Sequence, residues 1–117
     1  MSYNVIVEKS FDFAVRIVNL RKYLTREHKE FVLSKQLLRS GTSIGANVSE
    51  AQRGRSKADF TAKMSIALKE ASETEYWIKL LYRTEYLSKE QFESLNGDIQ
   101  ELIGLLMAIC RTASHTK

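Results

Sequence analysis

Three glutamates, Glu70, Glu73 and Glu75, are the residues of this chain whose type and spacing most nearly match a catalytic centre. Inward-facing carboxylates on packed helices can hold a pair of metal ions, but such sites also need Glu-x-x-His pairs. Neither histidine completes such a pair, because a threonine lies three residues before both His28 and His115. The sequence therefore predicts no metal site and no bound cofactor.

The residues that could act as nucleophiles or hold a phosphate also lack the neighbours that this chemistry needs. Cys110 is the single cysteine and lies in an apolar run, where a thiol packs more often than it reacts. The segment from Gly41 to Gly45 has two glycines but lacks the lysine of a phosphate-binding loop. We therefore predict that the protein is not an enzyme and takes no small-molecule substrate.

Basic residues offer a different chemistry, the binding of nucleic-acid phosphates. The chain has a net charge of +4, and residues 1–57 hold eleven Lys or Arg against five Asp or Glu, whereas the remainder holds seven against nine. Because acidic residues are interspersed, a single copy presents no large basic face. The predicted phosphate contacts, at two turns and on the second helix, are Arg21, Arg26, Arg39, Arg53, Arg55 and Lys57.

The composition predicts one all-α domain over residues 1–117. Hydrophobic residues make up 44% of the chain and charged residues 27%, and there is no proline, which favours long uninterrupted helices around one core. The single cysteine and the lack of a secretory signal at the start predict a cytoplasmic protein. The longest apolar run, residues 102–110, is far short of the roughly 20 residues that cross a bilayer, so no membrane association is expected.

Hydrophobic residues recur at alternating intervals of three and four in four segments, which is the period of helices packed in a bundle. Short connections cannot carry the chain back along a helix, so the sequence predicts an antiparallel up-down-up-down four-helix bundle. Its helices are expected from Val5 or Ser10 to Leu24, from Lys29 to Arg53, from after Ser56 to Glu85, and from Ser88 onward. Ser56 with Asp59, and Ser88 with Gln91, have the spacing of capping boxes at two of these starts.

The second helix is predicted to approach its neighbours closely, because Gly41, Gly45 and Ala46 remove side-chain volume from its surface. Two interior glycines cost a helix about 1 kcal/mol each. A helical break near Ser40 to Thr42 is therefore the competing interpretation.

A second apolar stripe on helix three, formed by Ile66, Trp77 and Leu80, lies beside the stripe that faces the core. A helix that is apolar over so much of its circumference buries more than its own bundle can cover. We therefore predict that these three residues form an oligomer interface. Glu70 and Glu73 follow the same spacing and need cationic partners, such as Arg39 or a basic residue of another subunit.

Three segments of the chain resemble a known family. They run from Arg39 to Glu50, from Ser56 to Phe60 and from Ile66 to Trp77, and they contain Arg-Ser, Ser-Ile-x-Ala-Asn and Glu-Ala elements in order. The chain thereby resembles the bacterial four-helix-bundle proteins encoded within intervening sequences of 23S ribosomal RNA genes. It departs from the commoner pattern at Ala51, where glycine is frequent, and at residues 69–70, where a glycine and serine pair is frequent.

The resemblance implies a ring-like homo-oligomer, a pentamer, with no established enzymatic activity. Relatives that accompany diversity-generating retroelements resemble basic nucleic-acid-binding partners of a reverse transcriptase. Carried over by position, the family's polar set, with an expected role in hydrogen bonding between helices, is Arg39, Ser43, Asn47, Glu50 and Glu73.

Two functions follow from these observations. We predict a non-enzymatic, oligomeric bundle that binds RNA or another nucleic acid as an accessory factor. The alternative is a scaffold for protein interactions with no nucleic-acid role. Binding that falls steeply with salt is typical of phosphate contacts and would separate the two.

Overall fold

The protein, described here by a computed structural model of residues 4–115, forms four helices and, within that range, no strand. The helices are α1 (Asn4–Glu27), α2 (Leu33–Ala51), α3 (Lys57–Arg83) and α4 (Lys89–His115). α2 packs against both α1 and α3, α3 packs against α4, and α1 meets α4 over a smaller area. Consecutive helices are joined by short turns and are therefore antiparallel. The predicted all-α, up-down-up-down four-helix bundle is confirmed.

One face of each helix lines the core, as the intervals of three and four require. Ile17 of α1, Ile44 of α2, Ile78 of α3 and Ile99 of α4 are completely buried there. Four residues expected on the inward faces pack against this core but are only partly buried: Leu20, Phe60, Phe92 and Ile109. Phe60 and Phe92 lie in the first turn of their helices, where fewer neighbouring residues surround them.

The first turn differs from the sequence prediction. Helix one continues beyond Leu24 to Glu27, and helix two begins at Leu33 rather than at Lys29. Lys29 has a φ of 52°, in the left-handed region, which interrupts the helical path between α1 and α2. The position of this turn depends on the backbone conformation of Lys29, which the spacing of hydrophobic residues does not indicate.

A nearly buried carboxylate fixes the start of α2. Glu30 accepts hydrogen bonds from the backbone N–H groups of Val32, Leu33 and Ser34 at 3.2, 2.9 and 2.7 Å. These groups have no partner inside a helix that starts here, and negative charge is favoured at a helix N-terminus. Glu30 therefore has a structural role at the start of α2 and does not belong to the acidic residues of the surface.

Of the two capping boxes predicted, the one at the start of α4 is complete and the one at the start of α3 is formed only on the Ser56 side. Ser88 and Gln91 form the complete reciprocal pair, with bonds of 3.1 Å to Ser88 Oγ and 2.8 Å to Gln91 Oε1. Ser56 Oγ accepts from the N–H of Asp59 at 3.1 Å, but the Asp59 carboxylate accepts from the N–H of Arg55 at 3.3 Å. The second helix ends at Ala51, two residues before the predicted Arg53.

The two glycines of α2 lie inside a continuous helix, so the alternative of a break near residues 40–42 is wrong. A Cβ added at Gly41 would lie 2.9 Å from Cγ1 of Ile17, and one at Gly45 would lie 3.1 Å from the carbonyl oxygen of Ser10. Both glycines therefore face α1. The predicted close approach of helix backbones is confirmed, and it joins α2 to α1.

We expect Gly41→Ala to lower the free energy of unfolding by about 1–3 kcal/mol, because the new methyl group must displace the buried Ile17. Gly97→Ala is the matched control, since an added Cβ in α4 meets nothing within 4 Å. That change should raise the free energy of unfolding by about 0.5–1 kcal/mol through better helix propensity. Denaturant titration measures both, and effects of the same sign would contradict the proposed role of Gly41.

Candidate nucleic-acid interface and apolar surfaces

Three of the predicted phosphate contacts, Arg53, Arg55 and Lys57, are exposed together at the α2–α3 turn. α2 closes here through hydrogen bonds of 3.0 and 3.1 Å from the N–H groups of Arg53 and Gly54. The tight turn and the cap of α3 hold the three basic residues within a short exposed segment. We call these three residues the turn cluster.

Acidic residues beside the turn cluster have their own partners. Glu50 forms an ion pair with Lys63 of α3 at 2.8 Å, and Asp59 accepts from the backbone N–H of Arg55. Within residues 4–115, the guanidinium groups of Arg53 and Arg55 form no ion pair. Both can therefore contact an external anion, such as a phosphate, through several N–H donors.

Two other predicted contacts lie at the opposite end of the bundle. Arg21 is half-buried and its Nε lies 3.4 Å from Ser34 Oγ, whereas Arg26 is exposed and lies 3.7 Å from the Glu27 carboxylate. The antiparallel order places the α1–α2 and α2–α3 turns at opposite ends of a molecule that is 48 Å long. The six predicted phosphate contacts therefore form no single surface on one copy.

Arg39 lies between the two ends and binds α3. Its guanidinium group pairs with Glu70 at 3.2 Å and with Glu73, and Glu73 also accepts from Trp77 Nε1 at 3.1 Å. Arg39 is thus the partner that the sequence required for both glutamates. A phosphate would have to compete with two carboxylates here, and the assignment of Arg39 as a phosphate contact stays a prediction.

The polar set divides into two groups. Arg39, Glu50 and Glu73 join α2 to α3 through ion pairs. The side chains of Ser43 and Asn47 instead donate within α2, to carbonyl oxygens four residues earlier at 2.6 and 2.8 Å.

A hydrogen bond between buried hydroxyls also joins α2 to α3, and the sequence analysis missed it. Thr74 Oγ1 lies 2.9 Å from Ser40 Oγ, and both side chains are completely buried. Thr74 occupies a core position of helix three by its spacing. In the sequence, only its hydroxyl group indicated that it would need a hydrogen-bond partner there.

The predicted oligomer-interface residues lie along the outer side of α3 but differ in exposure. Ile66 is 41% exposed, whereas Trp77 and Leu80 are half-buried and Trp77 packs against the core. Tyr76, which the prediction omitted, is 59% exposed and contacts Trp77 edge-on at 5.1 Å between ring centroids. We call Ile66, Tyr76, Trp77 and Leu80 the α3 face.

α1 has an exposed apolar stripe that the sequence analysis missed. Phe11, Val15 and Val18 are 67%, 48% and 38% exposed. Their intervals of four and three place them on one side of α1, away from the buried Phe13 and Ile17. The same intervals were visible in the sequence, beside the stripe taken as the core. We call these three residues the α1 face.

The residues tested for catalysis are engaged in packing. His28 Nε2 lies 3.1 Å from the Tyr23 hydroxyl and its ring meets Tyr86 edge-on, while Cys110 is half-buried with Sγ 4.0 Å from Ser65 Oγ. Within residues 4–115 there is no group of three or more His, Cys, Asp or Glu placed to hold a metal ion. The side chain of His115 lies outside the described residues.

None of the helices in the described range is long and apolar enough to span a membrane.

Comparison with known proteins identifies a family and a solved structure to which this chain is similar. The description of the family whose profile matches residues 3–108 is 23S rRNA-intervening sequence protein. A crystal structure from Bacteroides thetaiotaomicron VPI-5482, described as a protein with unknown function from the S23 ribosomal protein family, has 61% sequence identity and a TM-score of 0.91. The match covers 92% of this chain and 96% of that chain. No curated protein matches this chain.

We expect Arg39→Ala to lower the free energy of unfolding by about 1 kcal/mol, since it leaves two carboxylates one helical turn apart without their shared cation. Arg53→Ala is the control, because it removes an exposed arginine from the turn cluster. It should change the free energy of unfolding by less than about 0.5 kcal/mol. The double variant Arg39→Ala with Glu73→Gln should lose less free energy of unfolding than Arg39→Ala alone. A coupling energy of zero between Arg39 and Glu73 in this double-mutant cycle would contradict the contact.

Proposed function

The chain belongs to the family of 23S rRNA-intervening sequence proteins, and we propose that it is a non-enzymatic, oligomeric accessory protein that binds RNA. The resemblance that the sequence predicted is thereby confirmed at the level of the family. Its relation to partners of reverse transcriptases stays a prediction.

The turn cluster is the observation that supports RNA binding. Arg53, Arg55 and Lys57 are exposed on one short turn, and the nearby Glu50 and Asp59 already bind Lys63 and a backbone N–H group. Phosphate contacts from exposed arginine and lysine provide most of the affinity of non-specific nucleic-acid binding. The cluster has the chemistry to bind a phosphate backbone.

Self-association would increase the positive electrostatic potential around the turn cluster. Three cations on a 13.4 kDa bundle give a weak local potential, whereas a ring repeats them around one symmetry axis. The exposed residues of the α3 face support the proposal that copies of the chain associate. The resemblance supplies the number of subunits, five, which stays a prediction.

The contacts of the candidate catalytic residues support the proposal that the protein is not an enzyme. Glu70 and Glu73 bind Arg39, and His28 and Cys110 contact packed neighbours, so these four residues have structural partners. We also propose a cytoplasmic location, on the basis of the single cysteine.

The second candidate function is a scaffold for protein interactions. The α1 and α3 faces favour it, because exposed large apolar side chains on two sides of a small bundle are typical of interaction surfaces. A scaffold of this kind has no need of the turn cluster, and this difference can be tested.

We expect the parent protein to bind short single-stranded RNA with an affinity that falls steeply with salt. Changing Arg53, Arg55 and Lys57 together to Ala should weaken binding roughly tenfold or more and reduce the salt slope by about 2, since each phosphate contact contributes about 0.7. Electrophoretic titration at several salt concentrations measures both quantities.

The matched control removes the same charge from the other end of the bundle, by changing the exposed Lys22, Lys35 and Lys89 together to Ala. This variant should retain most of the affinity. An equal loss in both variants would show that net charge alone governs binding and would remove the turn cluster from the interface. No binding by the parent protein would favour the scaffold.

A further inference from the structure

An open cleft lies at the end of the bundle opposite the turn cluster, between the α1–α2 and α3–α4 turns. Its volume is about 620 Å³, a size typical of sites for small ligands. Four aromatic side chains line it: Tyr23 of α1, His28 of the α1–α2 turn, Tyr82 in the last turn of α3, and Tyr86 just beyond it. We call it the end cleft.

Ring contacts hold this aromatic lining in position. His28 meets Tyr23 and Tyr86 edge-on, with ring centroids 5.2 and 5.7 Å apart. Tyr82 stacks on Phe92 at 4.3 Å, with the ring planes 11° apart. Aromatic side chains held in this way offer surfaces on which the bases of nucleotides stack. Because the rings are already positioned, a flat ligand loses little free energy to ordering them.

The end cleft also contains a cation that can bind a phosphate. Arg83 is exposed and, in the part of the chain that the structure describes, forms no ion pair. A guanidinium group can bind a phosphate through two parallel hydrogen bonds. Residues 21–35 and 79–91, which form this end of the bundle, hold eight Lys or Arg against four Asp or Glu, and Glu30 among these is buried. The surroundings therefore favour an anionic ligand over a cationic one.

Two polar side chains of the lining have the chemistry to contact the edge of a base. Gln91 Oε1 accepts from the N–H of Ser88 at 2.8 Å, which fixes the amide group and leaves its nitrogen to donate to a ligand. Glu85 is exposed and its carboxylate accepts hydrogen bonds. Adenine presents the complementary pair, an amino donor beside a ring nitrogen that accepts.

We propose that the end cleft binds a purine nucleotide, with the base stacked on the aromatic rings and the phosphate bound by Arg83. A free mononucleotide and an unpaired nucleotide of RNA share this chemistry. The inference goes beyond the proposed function, because the turn cluster lies at the other end of a molecule that is 48 Å long. The two sites can therefore be tested separately.

Titration with AMP, followed in NMR spectra of the backbone amides, tests the site. We expect AMP at millimolar concentrations to shift the signals of residues that line the end cleft. Adenosine, which lacks the phosphate, and ribose phosphate, which lacks the base, should each bind more weakly. Equal binding of ribose phosphate and AMP would show a simple anion site and overturn the proposal. Tighter binding of choline than of AMP would show a cage for cations and would also overturn it.

Two variants separate the contributions of phosphate and base. Arg83→Ala should weaken AMP binding about fivefold or more and leave adenosine binding unchanged, because only the contact with the phosphate is lost. His28→Ala should weaken binding of both ligands about fivefold or more through lost stacking. Both residues are exposed, so the bundle should still fold, which circular dichroism checks.

Arg111→Ala is the matched control, because it removes an exposed arginine from the C-terminal part of α4, near the opposite end of the bundle. It should leave AMP binding unchanged. An equal loss in Arg111→Ala and Arg83→Ala, or full AMP affinity in Arg83→Ala or His28→Ala, would overturn the arrangement.

Competition identifies the source of the nucleotide. The variant with Arg53, Arg55 and Lys57 changed to Ala lacks the turn cluster, and single-stranded oligoadenylate is added to it in the presence of AMP. Displacement of AMP would support the proposal with an RNA nucleotide as ligand, and retention of AMP would support it with a free nucleotide. A parent protein that does not bind AMP would overturn this inference, whereas the electrophoretic titration of the turn cluster would still decide the proposed function.

Discussion

The close approach of α2 to its neighbours is the constraint on which the rest of the bundle depends. Gly41 lies against the side chain of Ile17, and Gly45 lies against the backbone of Ser10, so α2 places no side chain of its own between the helices at these points. Helices that pack this closely bury backbone as well as side-chain surface. The α1–α4 side of the bundle is looser, and ion pairs from Arg16 to Asp98 at 2.8 Å and from Lys9 to Glu101 at 3.1 Å cross it.

Polar contacts then fix the register of α2 and α3. The buried bond between Ser40 and Thr74 and the pairing of Arg39 with two glutamates lie within one turn of each other. A shift of one residue between the helices would break both of these contacts, although the Thr74 hydroxyl would keep its hydrogen bond of 2.8 Å to the carbonyl oxygen of Glu70 in α3. The same register sets the relative heights of α1 and α3, because α2 contacts both.

The charged side chains of this protein lie mostly on its surface. The core is closely packed and mostly apolar, and Glu70, Glu73 and Cys110 contact neighbouring helices. Charged residues concentrate at the turns, since helix ends need polar caps and turns face solvent. Apolar residues beyond those needed for the core lie on the outer sides of α1 and α3. A small bundle of this kind therefore presents different chemistry at its ends and on its sides.

The sequence by itself determined the class of fold, because alternating intervals of three and four report which residues share one side of a helix. It also determined local features that depend on few neighbours, namely the capping residues Ser56 and Ser88, the basic α2–α3 turn, and the need of Glu70 and Glu73 for a cation.

Only the tertiary structure decided which apolar stripes are buried. Phe11 and Ile66 have the same spacing as core residues, and burial depends on which helices lie beside them. The start of α2 at Leu33 depends on a left-handed residue and on the Glu30 carboxylate, neither of which has a periodic signal. The continuity of α2 through Gly41 likewise depends on Ile17, since packing against another helix compensates for the low helix propensity of glycine.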